Sequence, residues 1–84
     1  MNADELKALE IATVVDARGT ACPGPLLEAK RAVAECPVGG VMDIMSSDDG
    51  TISDVTRWCK KMQHEYLGDV EDDGFWHVYM KRMK

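Results

Sequence analysis

The chain has 84 residues, of which 45% are hydrophobic and 30% charged, and its formal net charge is −5. This length provides one hydrophobic core and leaves no room for a second domain, or for a large substrate pocket together with a full catalytic constellation. The apolar content argues against disorder, and the short apolar runs argue against a membrane span. The acidic charge balance, without a basic face, argues against direct nucleic-acid binding.

Residues 1–10 carry three acids and one lysine but no apolar segment of the kind that a signal peptide needs. We therefore expect a cytoplasmic protein. The same residues are interpreted as a flexible N-terminal extension, in the form of a frayed helix at most, that precedes a single domain over residues 11–84.

The first half of the domain alternates strand, helix and strand. The β-branched run Thr13–Asp16 predicts the first strand. The segment Pro23-Gly24-Pro25 then opens a run of good helix formers, Leu26–Glu35, and Cys36-Pro37 ends it. Val41–Ser47 has the alternating pattern of a second strand.

The second half begins with a helix and ends in a hairpin. Thr51–Gln63 is predicted as the helix because its apolar residues recur every three or four positions. Glu65–Val70 and Phe75–Lys81 are predicted as strands, and Asp72-Asp73-Gly74 between them is a hairpin turn of the Asp-Gly type. The stripe of the helix consists of Ile52, Val55, Cys59 and Met62.

The order βαβαββ predicts an α+β fold, a two-layer sandwich in which two helices cover one face of a mixed four-stranded sheet. The other face is then open. Met45, His77 and Tyr79 are candidates for that open face, and their apolar character suggests a protein-docking surface.

The chain contains three cysteines and no C-x-x-C pair, which argues against a disulfide framework and against a zinc site. Cys59 lies on the apolar stripe and is predicted to be buried, while Cys36 has a structural position that could be partly exposed. His64 is expected to cap or pack, and His77 either contacts a partner or is solvated. Neither a metal nor a cofactor is expected.

Cys22 lies between the end of a strand and the start of a helix. A helix N-terminus favours a thiolate, Arg18 would add positive charge to the same loop, and Pro23 and Pro25 would stiffen it. Local chemistry alone leaves two interpretations open, a reactive thiol and a small buried hydrophobic residue.

The segment that contains Cys22 is similar to the signature of the TusA family of SirA-like sulfur carriers. The matching residues, from Asp16 to Ala32, read D-A-R-G-x-x-C-P-x-P-L-L-x-x-K-R-A. The resemblance continues through Trp58-Cys59 and His64 to Lys81-Arg82. The sequence departs from the family pattern at Thr20, at Asp48-Asp49-Gly50 and at Gln63.

The resemblance implies that Cys22 accepts a persulfide sulfur and relays it to a thiol of a partner protein. Arg18, Gly19, Pro23 and Pro25 then support the loop. The implied partners are a sulfur donor, either a cysteine desulfurase or a rhodanese-like protein, and a sulfur acceptor. Such a protein is a carrier rather than an independent catalyst, and the family serves sulfur oxidation, tRNA thiolation and cofactor supply.

Two other functions compete with the relay. The first is a non-catalytic regulatory or interaction domain that binds a protein through the open sheet face. The second is a peroxide-sensing thiol, which predicts a sulfenic acid at Cys22.

Overall fold

The computed structural model describes residues 2–21 and 23–84. Three α-helices and four strands follow in the order α1, β1, α2, β2, α3, β3, β4, with a short 3-10 helix at Val33–Glu35 directly after α2. The helices are α1 (Ala3–Lys7), α2 (Gly24–Ala32) and α3 (Gly50–Met62). The strands are β1 (Ile11–Asp16), β2 (Val41–Ser46), β3 (Glu65–Asp72) and β4 (Phe75–Lys81).

The four strands form one mixed sheet in the order β1-β2-β4-β3. β1 and β2 are parallel, while β4 is antiparallel to both β2 and β3. Asp73 and Gly74 have positive φ angles of 48° and 90°, which a two-residue hairpin turn between β3 and β4 requires. The predicted α+β architecture with a mixed four-stranded sheet is confirmed.

The main core lies between the sheet and the two long helices. Ala29 of α2 and Val55 of α3 are fully buried against Ile44 and Val78 of the central strands. Full burial of a valine or isoleucine side chain stabilises the fold by about 1.5–3 kcal/mol. This packing fixes the start of α2 at the end of the sheet where β1 terminates.

The opposite face of the sheet is only partly open. Leu6 of α1 is 2% exposed and packs with Val70 and Tyr79 in a second apolar cluster. The side chain of Asn2 accepts a hydrogen bond from the Glu5 N–H at 2.8 Å and so caps α1. The expectation that Tyr79 lies on an open face is wrong, because this small helix covers it.

The structure thus gives the N-terminal extension a helix and a buried anchor. Gly68 accommodates that anchor, because a Cβ atom at this position would lie 2.9 Å from Cδ1 of Leu6. The flexibility expected of residues 1–10 stays a prediction, as does the domain boundary at residue 11. Both require a measurement of how residues 1–10 move. Among the described residues, no helix is long and apolar enough to cross a membrane.

Candidate functional site

The loop from Asp16 to Ala21 leads from the end of β1 towards Cys22, which lies outside the described residues. Two backbone hydrogen bonds order this loop and its continuation: the Thr20 N–H donates to the Ala17 carbonyl at 3.2 Å, and the Gly24 N–H to the Ala21 carbonyl at 2.8 Å. The residues on both sides of Cys22 are therefore held by main-chain contacts.

Arg18 does not carry a free positive charge in this loop. Its guanidinium donates two hydrogen bonds of 2.8 Å to the carboxylate of Asp16. The hydrogen bonds from Arg18 lower the pKa of Asp16 from 3.8 to about 2. The guanidinium also lies over the ring of Phe75, with Cζ 4.8 Å from the ring centroid. Arg18 is thus a neutralised cation that ties the loop to β4.

Gly19 has a φ angle of 82°, a left-handed conformation that favours glycine. Its N–H donates to the hydroxyl of Ser47 at 3.1 Å and thereby joins the loop to the segment that follows β2. In that segment Oδ1 of Asp48 accepts the Gly50 N–H at 2.8 Å, a local contact that shapes the start of α3.

Pro23 and Pro25 occupy the beginning of α2. Pro23 is the N-cap residue and is exposed, and its carbonyl accepts the Leu27 N–H at 3.1 Å. Pro25 lies in the first turn, where a missing N–H costs little, and its side chain is fully buried. Gly24 lies between them, and its missing Cβ leaves room for the Thr20 side chain.

A shallow open recess lies beside the loop. Trp76 of β4 forms one wall, and the loop itself forms another. The remaining lining comes from the segment after β2, and the complete set is Gly19, Thr20, Ala21, Ser47, Asp48, Asp49 and Trp76. The recess is open to solvent and does not enclose a substrate.

The two cysteines that the structure describes are both buried. Cys36 and Cys59 are each 1% exposed and are free thiols. Burial raises the pKa of Cys59 to about 11, so this thiol stays protonated at neutral pH. The buried position predicted for Cys59 is confirmed. The partial exposure considered for Cys36 is wrong, because the chain that follows α2 packs this side chain into the main core.

The two histidines have structural partners. Nδ1 of His64 accepts the Met83 N–H at 3.1 Å, and its ring meets Trp58 edge-on at 5.7 Å, so the predicted packing role is confirmed. His77 is not a free side chain on an open face. Its Nδ1 lies 2.9 Å from both carboxylate oxygens of Asp43, and its Nε2 lies 3.3 Å from Asp72.

The sequence analysis did not find this arrangement around His77, which is sandwiched between aromatic rings. The Phe75 ring centroid lies 5.1 Å from that of His77 on one side, and the Tyr79 centroid lies 6.0 Å away on the other. The guanidinium of Arg18 lies over the other aromatic neighbour in this row, the ring of Phe75. A continuous row of stacked side chains therefore links the loop before Cys22 to the middle of the sheet.

These features define a class of protein: a small α+β domain in which a loop, with an open recess beside it, leads from a strand to the start of a helix. Among the described residues, no group of three His, Cys, Asp or Glu side chains could hold a metal ion.

Comparisons with known proteins agree with this class. A family model described as Sulfurtransferase TusA matches residues 13–82. A protein of Archaeoglobus fulgidus, provisionally named a sulfur carrier protein, is 38% identical over 84% of this chain and 97% of its own length. The sulfur carrier protein TusA of Pseudomonas entomophila is 31% identical over 81% of this chain and 85% of its own.

A solved structure also resembles the fold. The SirA-like protein of Desulfitobacterium hafniense superposes with a TM-score of 0.69, at 29% identity, over 86% of this chain and 99% of that one. The chain belongs to the TusA family. Its function at this level is that of a sulfur carrier, which works between sulfur-donating and sulfur-accepting partners.

Proposed function

We propose that this protein accepts a persulfide sulfur on Cys22 and relays it to a thiol of a partner protein. The observation that supports Cys22 as the carrier is the burial of the other two thiols, Cys36 and Cys59, each 1% exposed. A thiol inside the core cannot approach a donor, and a protonated thiol is a poor nucleophile.

The surroundings of Cys22 in the chain support thiolate chemistry. α2 begins at Gly24, two residues after Cys22, and its first turn, Gly24–Leu27, consists of uncharged residues. The positive end of the helix dipole is therefore not offset by an acid in that turn. Arg18 contributes less than the sequence suggested, because Asp16 neutralises it.

The relay consists of two displacements that leave the overall oxidation state unchanged. The Cys22 thiolate attacks the terminal sulfur of a donor persulfide, a new S–S bond forms on Cys22, and the donor leaves as a thiolate. An acceptor thiolate then attacks the terminal sulfur on Cys22, and Cys22 leaves as a thiolate. One sulfur atom moves, and no external oxidant or reductant is consumed.

The proposal includes a reducing cytoplasmic compartment, in which the Cys22 thiol is not lost to disulfide formation between deliveries of sulfur. The proposed donor is a cysteine desulfurase or a rhodanese-like protein. Arg18, Gly19, Pro23 and Pro25 are proposed to support the loop, in agreement with their hydrogen bonds, burial and positions at the start of α2.

Cyanide provides a direct test, because it removes the outer sulfur of a persulfide as thiocyanate and leaves the thiolate. The protein is treated with inorganic polysulfide, desalted and exposed to cyanide. We expect one thiocyanate per chain from the wild type and from Cys36→Ala, and none from Cys22→Ser. Equal yields from the wild type and Cys22→Ser would contradict the relay and favour the interaction-domain alternative.

A further inference from the structure

A groove separates α2 from α3 on the outer surface of the helix layer. It consists of two adjoining recesses of about 240 and 330 Å³. Both recesses are lined by Trp58 and Lys61 of α3 and by Lys30 of α2. We call this feature the helical groove. It is separate from the recess beside the loop at residues 19–21, and the relay chemistry does not use it.

The helical groove is basic, although the protein as a whole is acidic. Lys30, Arg57 and Lys61 line it, and the single carboxylate in the lining, that of Asp54, pairs with Arg57 at 2.8 Å. The chain as a whole has 10 Lys and Arg against 15 Asp and Glu. The local charge is therefore opposite to the net charge, which orients an acidic partner towards this surface.

Apolar side chains line the groove between these cations. Trp58 is 8% exposed, and Leu26 of α2 is partly buried against the same core. Met62 is 50% exposed, and methionine adapts its shape to a binding partner. An apolar recess flanked by cations fits a protein segment whose bulky apolar side chain is flanked by carboxylates.

We propose that the helical groove binds an acidic segment of the protein that exchanges sulfur with Cys22. The partner's role in sulfur exchange rests on the proposed function, but binding in the groove does not require a sulfur atom. Leu26, at one end of the groove, is four residues after Cys22. A partner held there would stay close to the start of α2 while the sulfur atom moves.

Nucleic acid is the other macromolecule that a basic groove attracts, and the groove fits it less well. Trp58 is too buried to stack on a base, and three cations on a chain of net charge −5 supply few phosphate contacts. The groove therefore fits a protein segment better than RNA, and an RNA probe distinguishes the two.

The test is an NMR titration of the labelled full chain with three probes. The first is a synthetic helical peptide with glutamates on both sides of one phenylalanine, the second is the same peptide with lysines in place of the glutamates, and the third is oligouridine RNA. We expect the acidic peptide alone to shift the indole N–H of Trp58 and the backbone signals of Lys30 and Lys61. The absence of these shifts, shifts elsewhere, or stronger binding of the RNA would overturn the proposal.

A matched pair of variants locates the binding surface. Lys61→Glu reverses a charge in the groove, whereas Lys60→Glu makes the same change on the same helical turn outside both recesses. At low ionic strength, we expect Lys61→Glu to reduce the binding affinity for the acidic peptide at least about threefold more than Lys60→Glu does. Equal weakening would show that only the net charge matters and would contradict a groove.

Sulfur loading separates this proposal from the relay itself. Inorganic polysulfide is too small to need the groove, so Lys61→Glu should release as much thiocyanate after loading as the wild type. If the wild type binds the acidic peptide but releases no thiocyanate, the relay is refuted and peptide binding in the helical groove is still supported. A wild type that releases thiocyanate but does not bind the peptide would refute the groove alone.

Discussion

The guanidinium of Arg18 lies 4.8 Å from the ring centroid of Phe75 and at the same time binds the carboxylate of Asp16 through two hydrogen bonds. Arg18 thus connects the end of β1 to the first residue of β4. These contacts hold the loop before Cys22 against β4, and the carboxylate of Asp16 offsets the charge of the arginine.

The Asp16–Arg18 pair predicts how the pKa of the Cys22 thiol responds to mutation. Asp16→Asn leaves the Arg18 cation unpaired, so we expect the thiol pKa to fall by about half a unit. Thiolate absorbance followed against pH measures this value once the curve of Cys22→Ser, which retains Cys36 and Cys59, is subtracted. A thiol pKa that is unchanged in Asp16→Asn would show that Arg18 is electrostatically remote from Cys22.

The N-terminal helix predicts a measurable contribution of Leu6 to stability. Leu6→Ala removes a side chain that is 2% exposed between Val70 and Tyr79, and we expect the free energy of unfolding to fall by about 2 kcal/mol. Urea denaturation measures the loss. Leu27→Ala is the control, because Leu27 is 53% exposed and should cost less than about 0.5 kcal/mol. Equal losses would mean that residues 1–10 are as flexible as the sequence suggested.

The contacts of His77 predict unequal effects of its two carboxylate partners. His77→Gln leaves the buried carboxylate of Asp43 without its imidazole partner, and we expect a loss of about 1–3 kcal/mol in the free energy of unfolding. Asp72→Asn should cost less than about 1 kcal/mol, because the Asp72 side chain is 49% exposed. A larger loss in Asp72→Asn than in His77→Gln would contradict this assignment of the contacts.

His64 predicts a pH dependence of stability on the acid side of neutrality. Burial, with help from the charges of Arg82 and Lys84, holds the pKa of His64 below its usual value of 6.5. The imidazole of His64 is therefore protonated at a higher pH in the unfolded chain than in the folded chain. The contribution of neutral His64 to the free energy of unfolding is complete above pH 6.5 and decreases as the pH falls towards the folded pKa. Urea denaturation of the wild type and of His64→Gln should diverge in slope below pH 6.5 and run parallel above pH 7.5. Parallel curves throughout would contradict the lowered pKa.

The sequence predicted the features that depend on local signals. The Asp73-Gly74 turn, the burial of Val55 and Cys59 on α3, and the proline that opens α2 each follow from residues close together in the chain. Met62, predicted on the same stripe of α3, is instead 50% exposed. The family motif, a continuous segment from Asp16 to Ala32, could also be recognised.

The features that the sequence analysis missed depend on contacts between distant residues. His77 and Asp43 are 34 residues apart and meet only because β2 pairs with β4 in a particular register. Leu6 is the one large apolar residue in a five-residue helix, which is too short to show a periodic pattern. The pairing of Arg18 with Asp16, only two residues away, was within reach of the sequence, but the arginine was interpreted as a free charge.

The central claim is that the Sγ atom of Cys22 carries the transferred sulfur, and intact mass spectrometry tests it most directly. The reduced wild type and Cys22→Ser are incubated with polysulfide and weighed before and after treatment with a reductant. We expect the wild type to gain the mass of one sulfur atom, to lose it on reduction, and to carry it on the peptide that contains Cys22, while Cys22→Ser gains nothing. The same gain in Cys22→Ser, or no gain in the wild type, would contradict the account.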